Sequence, residues 1–334
     1  MNPIQSTFRK LEKDIINRIL TVPTHERFEQ GLCKIPDTEF YSIWREGNKK
    51  WNNSYGECPS NYNLLYNRPQ QFPVWLDFDF VLAQNIFGQH QFLSPLAKKM
   101  QLPLIRIEHT TWMPWWGDTQ KQRRESTPSD VTVFISNHSA EAWGFDKNDP
   151  SVFIIEHTVD SDLFIPNDSL LQNRILTVAN DFVNRDPVLG FKLFRDVTNG
   201  LHVCVVGNTP GLSEAASCVD DLVREYQKSS IYLNTAHLSP IPTSMLEAMS
   251  CGCCPISVAT CAIPDFIVDG ENGFLAENAQ ELRDKLELAI NDPDLTKKMG
   301  ENARQTIIER CNIDRFTREW KEVFEYAKRN TFSK

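Results

Sequence analysis

Apolar residues along this chain come in two alternating rhythms, short strand-like runs followed by longer stretches with helical spacing. Arg18 to Val22 predicts a strand, and Pro23-Thr24-His25-Glu26 a turn leading into a helix through about Cys33. Phe78 to Gln84 predicts the next strand, followed by a polar loop from Asn85 to His90 and a helix through about Met100. Leu102 to Glu108, Val131 to Ser136 and Val152 to Ile155 carry the rhythm on. After Phe164-Ile165-Pro166-Asn167-Asp168 it restarts. Strands are expected at 174–179, 201–207, 230–234 and 254–259, with helices at 187–197, 219–228 and 243–249. Strands that alternate with helices imply a mostly parallel sheet, so the pattern predicts two α/β units. From Ala279 the chain reads as helical, ending in an amphipathic run over 315–329 with Phe316, Trp320, Phe324 and Ala327 near helical spacing, suited to packing back onto the first unit.

Residues 44–75 interrupt the rhythm. They are polar and aromatic (Trp44, Trp51, Tyr55, Tyr62, Tyr66, Phe72, Trp75), with Arg45, Lys49, Lys50 and Arg68 among them, and read as an insertion. Its aromatics either pin a long loop to the sheet or stack on sugar rings or bases.

Length and composition fit this picture. At 334 residues the chain accommodates two domains of ordinary size, and 41% hydrophobic with 24% charged residues is a globular composition. No apolar run reaches the length of a membrane span, and the first residues lack the basic start, apolar core and cleavage site of a signal peptide, so a cytoplasmic location is expected. The nine cysteines are odd in number and scattered through apolar segments, as suits reduced thiols. Cys251, Cys253, Cys254 and Cys261 lack the spacing of a zinc site, and no metal is expected. A net charge of −9, with 17 Lys and Arg against 20 Asp and Glu in residues 1–165, makes neither half a basic nucleic-acid domain.

The densest chemistry lies in Ser239-Pro240-Ile241-Pro242-Thr243-Ser244-Met245-Leu246-Glu247-Ala248-Met249-Ser250-Cys251-Gly252. Pro242 suits a first helical turn, Thr243 and Ser244 add hydroxyls there, and Gly252 suits the stop. The helix start therefore presents free N–H groups to the preceding loop, where a diphosphate fits. Glu247 sits more than one turn inside, among apolar neighbours. It either reaches a cleft to bind hydroxyls such as those of a ribose or pairs with a nearby Lys or Arg.

Extended to SPIPTSMLEAMSCGCCPISVATCAIPDFIVDGENGFL, this stretch resembles the donor-binding core of family 4 retaining glycosyltransferases, which have the GT-B fold. The likeness runs from about Arg174 to the C-terminus, with Ile155 to Phe164 resembling the segment just before the second domain. The resemblance implies two Rossmann-like domains facing a cleft: residues 1–165 for the acceptor, 166–315 for a nucleotide-sugar donor, and a helix over 316–334 crossing back. It also implies transfer of a sugar from a nucleotide diphosphate sugar, a UDP-sugar favoured, with retention and without metal or other cofactor, to a hydroxyl acceptor.

Roles carry over position by position. Glu247 matches the family's second glutamate, whereas Ser239 stands where the first is usual. Of the family's Arg and Lys on the diphosphate, the matching positions are Asn180 and Arg185, so one cation survives. The resemblance makes Arg185, Glu247 and His109 the catalytic candidates. It gives donor binding to Asn180, Gly207 and the Ser239, Pro240, Ile241, Pro242, Thr243 and Ser244 run. Acceptor contacts are expected from Asn85, Gly88 and Gln89 at the end of a first-domain strand, and from Trp112.

The acceptor is expected to be a glycan or small molecule. DNA with hydroxymethylated bases, as in bacterial viruses, is the alternative, with Lys49, Lys50, Arg68, Lys121, Arg123 and Arg124 following phosphates beside Trp112, Trp115 and Trp116. Two further classes share the architecture: a nucleotide-sugar 2-epimerase, for which no clear acid–base set stands out, and a non-catalytic sugar-binding module.

Overall fold

The computed structural model describes residues 16–22, 24–44, 51–66, 76–85 and 88–331. Two parallel sheets organise them. The first has the order β3-β2-β1-β4-β5-β6-β7, built from β1 (Asn17–Thr21), β2 (Thr38–Trp44), β3 (Tyr62–Tyr66), β4 (Phe80–Ala83), β5 (Leu104–Glu108), β6 (Val131–Phe134) and β7 (Val152–Ile154). The second has the order β12-β11-β10-β8-β9, from β8 (Gln172–Val178), β9 (Val203–Val206), β10 (Ser229–Asn234), β11 (Cys254–Val258) and β12 (Phe274–Ala276). Two doubly wound α/β lobes follow, as the alternating pattern predicts.

In each lobe the strand order reverses once. The chain leaves β1 toward β2 and β3 on one side and returns to β4 on the other; likewise it leaves β8 toward β9 and returns to β10. At such a reversal the loops leaving two neighbouring strands diverge, opening a crevice outside their carboxyl ends.

The reading of 44–75 as an insertion needs correction. Thr38–Trp44 and Tyr62–Tyr66 are strands that pair in parallel at one side of the first sheet. The burial of Phe40, Ser42, Ile43 and Tyr62 covers both faces there, so the strict polar–apolar alternation that marks a half-exposed strand is missing. Trp51 pins the intervening loop, donating from its indole N–H to the Gly56 carbonyl (2.9 Å) and packing on Tyr62. Arg45, Lys49, Lys50, Arg68, Phe72 and Trp75 lie outside the described residues. The helix expected over 187–197 is two helices, Asp186–Leu189 and Phe191–Val197. Gly190 breaks it at φ +71°, where an added Cβ would stand 2.1 Å from the Thr235 carbonyl oxygen.

The C-terminal helix, Ile313–Thr331, returns to the first lobe. Phe316, Trp320, Val323, Phe324 and Ala327, one apolar stripe, are buried in that lobe's core, with Phe324 stacked on Phe80 at 5.0 Å. Just before it, the Cys311 carbonyl accepts from Val159 N and Thr158 Oγ1, and Arg315 donates to the carbonyls of Glu156 and His157. Both chain crossings between the lobes are thus bound to each other. Trp320 is fully buried, so Trp320→Ala is expected to cost about 3–5 kcal/mol in urea unfolding.

Candidate functional site

The carboxyl ends of both sheets face one cavity of about 840 Å³. Its lining comes from the loop after β1 (Thr24, His25), from β8 and its loop (Thr177 to Asn180), from the end of β10 (Leu233 to Ala236) and from the interlobe segment 157–164. Volume and position between two lobes are those of a ligand site.

The helix Thr243–Ser250 opens onto it. Pro242 sits at the cap position rather than inside the first turn, with φ −65° and ψ 119°, and Thr243 is the first helical residue. Ser239, Ile241, Pro242, Thr243, Ser244 and Glu247 all line the cavity. Ser244 shares a hydrogen bond of 2.7 Å with the Tyr232 hydroxyl, fixing the helix start against β10. Gly252 ends the helix at φ +83°, as expected of a stop. Pro240 is buried outside the lining, and its carbonyl accepts from Ala262 N.

Glu247 lines the cavity and is already paired. Its Oε1 lies 3.1 Å from Arg27 Nε of the first lobe, and its Oε2 accepts from the Tyr226 hydroxyl at 3.0 Å. Burial pushes this carboxyl's pKa up, opposed by the Arg27 charge and the Tyr226 hydrogen bond. The ion-pair alternative and the cleft position therefore both hold, with an Arg from the opposite lobe as partner.

Arg185 also lines the cavity, exposed at its rim, and its guanidinium makes no ion pair among the described residues; Asp186 turns instead toward Lys192. Asn180 lines the cavity while its side-chain carbonyl accepts from Asn208 N at 2.8 Å, holding the turn after β9. Gly207 lies outside the lining. Its φ is +132° and a Cβ would come within 2.0 Å of the Ala179 carbonyl oxygen, so glycine is required there for the close approach of two loops.

His109 reaches the cavity from the end of β5 and is not alone. Its ring stacks on His157 at 6.0 Å and meets the edge of Phe28 at 4.5 Å, and His25 also faces the cavity. Burial, and then the neighbouring imidazoles, lower the pKa of His109 to about 3; burial, His25 and Arg315 lower that of His157 to about 4. Both rings are neutral near pH 7, and His109 Nε2 is buried without a hydrogen-bond partner among the described residues.

The expected acceptor residues are not brought to this cavity. Asn85, Gly88 and Gln89 sit at the end of β4, where Gln89 spends its amide on Thr24 Oγ1 (2.8 Å) and Gln84 N (2.9 Å), bracing the β1 loop from behind. Trp112 packs edge-on against Trp116 and Trp143 at 4.9 and 5.3 Å, away from the lining. Arg123 pairs with Asp118, Arg124 donates to the Gly144 carbonyl, and Lys121 faces Glu125 at 3.9 Å. Among the described residues no group of three His, Cys, Asp or Glu side chains is placed to hold a metal, and Cys251, Cys253 and Cys254 are buried thiols.

Sequence reasoning missed Arg27, Tyr226, His25 and His157. Arg27 and His25 had a signal, being polar residues in the loop and first helical turn after the strand at the reversal. His157 stood in the segment matched to the family without a role, and Tyr226 gave no signal of its own.

Residues 214–306 match the family model of glycosyl transferases group 1. That stretch contains β10, the Ser239–Gly252 loop and helix, and β11. An uncharacterized glycosyltransferase of Haemophilus influenzae is 32% identical over 108 residues, covering 31% of this chain and 30% of that protein. N-acetyl-alpha-D-glucosaminyl L-malate synthase of Bacillus anthracis is 28% identical over 82 residues, 24% of this chain and 22% of the relative. These matches therefore span less than a third of the curated relatives' own length. Solved structures align over nearly the whole chain. Anabaena HepE in complex with UDP and glucose superposes with a TM-score of 0.70 at 13% identity, covering 93% of this chain and 99% of that one. Sucrose-phosphate synthase of Thermosynechococcus elongatus superposes with 0.73 at 12% identity, covering 92% and 98%. The architecture of two facing parallel-sheet lobes is thus the GT-B fold. No described helix is long and apolar enough to cross a membrane.

Beside the cavity wall, Glu29 is fully buried, its Oε1 accepting from Thr24 N (3.1 Å) and Gln84 Nε2 (2.6 Å), and burial raises its pKa to about 7. The folded state then holds a proton on Glu29 between about pH 4.5 and 7 that the unfolded chain releases, so this carboxyl's contribution to stability falls as pH rises through that window. Glu29→Gln keeps the acceptor and removes the titration. The variant's stability relative to wild type, from urea unfolding at pH 5 and pH 7.5, is expected to be greater at the higher pH.

Proposed function

We propose that this protein is a retaining glycosyltransferase that moves a sugar from a nucleotide diphosphate sugar, a UDP-sugar first among them, to a hydroxyl of a glycan or small-molecule acceptor. The observation that carries this reading is the convergence, on one interlobe cavity, of the Thr243–Ser250 helix start, Arg185 and Glu247. The match of residues 214–306, which include that helix and Glu247, to glycosyl transferases group 1, and the occurrence of UDP and UDP-glucose in complexes of HepE, support it.

In this reading the ribose hydroxyls donate hydrogen bonds to the Glu247 carboxylate, and the diphosphate lies at the helix start, where unpaired N–H groups and the positive end of the dipole meet it. Arg185 adds a bidentate cation. As the bond from anomeric carbon to phosphate oxygen lengthens, negative charge grows on the departing diphosphate and positive charge on the sugar. Preorganised donors at the diphosphate lower that barrier without a metal ion. His109, neutral near pH 7, holds a sugar hydroxyl. The acceptor hydroxyl attacks from the face the diphosphate leaves and gives its proton to the leaving oxygen, so the anomeric configuration is kept. Front-face attack rather than a protein nucleophile is the route that the resemblance to retaining family 4 enzymes implies; at the matched positions Glu247 is paired with Arg27 and Ser239 offers only a hydroxyl. Among the described residues nothing on the first lobe favours a DNA acceptor: Arg123 and Arg124 are engaged within the protein, Lys121 faces Glu125, and two of the three tryptophans beside them are packed on Trp143.

A panel of nucleotide sugars tests the reading by thermal unfolding. A true donor at about 100 times its Kd stabilises the fold by about 2.7 kcal/mol and raises the Tm, and a panel without any shift contradicts it. With that donor, Arg185→Ala is expected to lower kcat on the order of 10²-fold at unchanged Tm without ligand, because the side chain is exposed and makes no ion pair among the described residues.

A further inference from the structure

We propose that Arg27 is the second cation for the donor's diphosphate, delivered from the first lobe and held in reserve on Glu247 while the cleft is empty. The inference rests on the donor site proposed above. A diphosphate carries two or more negative charges, and the second lobe brings one cation, Arg185, to the cavity wall, because Asn180 is neutral. Two other cations line the cavity, Lys34 and Arg27, and Lys34 is paired with Asp160.

Arg27 is a side chain with an unsatisfied donor. It is nine-tenths buried, its guanidinium lies over the Phe164 ring at 4.9 Å, Nη1 donates to the Tyr55 carbonyl at 3.0 Å, and Nε faces Glu247 at 3.1 Å. Nη2 is buried and has no acceptor among the described residues. A buried guanidinium whose Nη2 has no acceptor is held less firmly than a fully bonded one, which suits Arg27 to exchange its carboxylate for an anionic oxygen of a ligand.

Reach agrees with this. Glu247 is four residues past Thr243, so its backbone lies about 6 Å along the axis from the helix start, and a helical side chain leans back toward that start. A guanidinium there spans from the ribose to the phosphates with a rotamer change. When ribose hydroxyls take Glu247, Arg27 loses its carboxylate, and the phosphate oxygens replace it. The pair thus trades partners with the ligand: Arg27 passes from the carboxylate to the phosphate oxygens, while Glu247 keeps the Tyr226 hydroxyl and gains the ribose hydroxyls.

Calorimetric titration of uridine, UMP and UDP, with their adenosine and guanosine counterparts, into wild type, Arg27→Gln and Arg27→Lys tests the proposal. Wild type is expected to bind one nucleoside diphosphate more tightly than its nucleoside. Arg27→Gln should weaken that diphosphate about 10- to 100-fold while changing the nucleoside less than about 3-fold, with Arg27→Lys between. Retained nucleoside binding reports that the variant is folded. If Arg27→Gln does not fold with Glu247 unpaired, Arg27→Gln with Glu247→Gln removes both charges and is compared with Glu247→Gln alone. Equal changes for nucleoside and diphosphate, in either direction, would mean that Arg27 only plugs Glu247 and would overturn the proposal. Absence of any nucleotide binding by wild type would instead remove the donor site itself, and this inference with it.

Discussion

A parallel sheet must end all its strands at one edge, and this constraint decides where everything else in the molecule can be. Each strand leaves its sheet on the same side, each following helix starts there, and the reversal of strand order between β1 and β4 and between β8 and β10 opens a gap at that side. Two such sheets facing each other put two sets of loops and helix starts around one space. The Thr243–Ser250 helix contributes amide groups to that space because of where β10 ends; Thr24 and His25 are there because β1 ends opposite.

Holding the two edges face to face is the work of chain crossings rather than of one continuous core. The C-terminal helix inserts Phe316, Trp320 and Phe324 into the first lobe, while Val159 and Phe164, just past the outgoing crossing, are buried in the second. Arg310 pairs with Glu156 where the two crossings run side by side. Within the gap itself the link is polar: Arg27 and Glu247, one from each lobe. Apolar packing is insensitive to small ligands, whereas an ion pair between lobes is open to exchange with a charged one.

Much of the fold was legible because its determinants are local. The strands of the second lobe, the helix from Thr243 and its stop at Gly252, and the apolar stripe of the C-terminal helix are written in short-range periodicity and in single residues with special backbone demands. What escaped was set by tertiary context. β2 and β3 lie among aromatics that read as a loop, since burial on both faces erases alternation, and Gly190 splits a helix because the Thr235 carbonyl lies where a side chain would go. The site divides in the same way. Ser239, Ile241, Pro242, Thr243, Ser244 and Glu247 share one stretch of chain and reach the cavity together, with Asn180, Arg185 and His109 beside them. The residues expected at the acceptor lie outside that lining: Gln89 braces a loop and Trp112 belongs to an aromatic cluster. Arg27, 220 positions before its partner in sequence, has no local signature of that pairing.

The central claim is that the second lobe grips a nucleotide diphosphate at the mouth of the Thr243–Ser250 helix. A crystal structure of the protein soaked with UDP is the most direct test. The account predicts ribose hydroxyls on Glu247, phosphate oxygens at the amides of Thr243 and Ser244 and near Arg185, and an Arg27 guanidinium displaced from Glu247. A nucleotide bound elsewhere, with the Arg27–Glu247 pair intact and the helix start untouched, would contradict it.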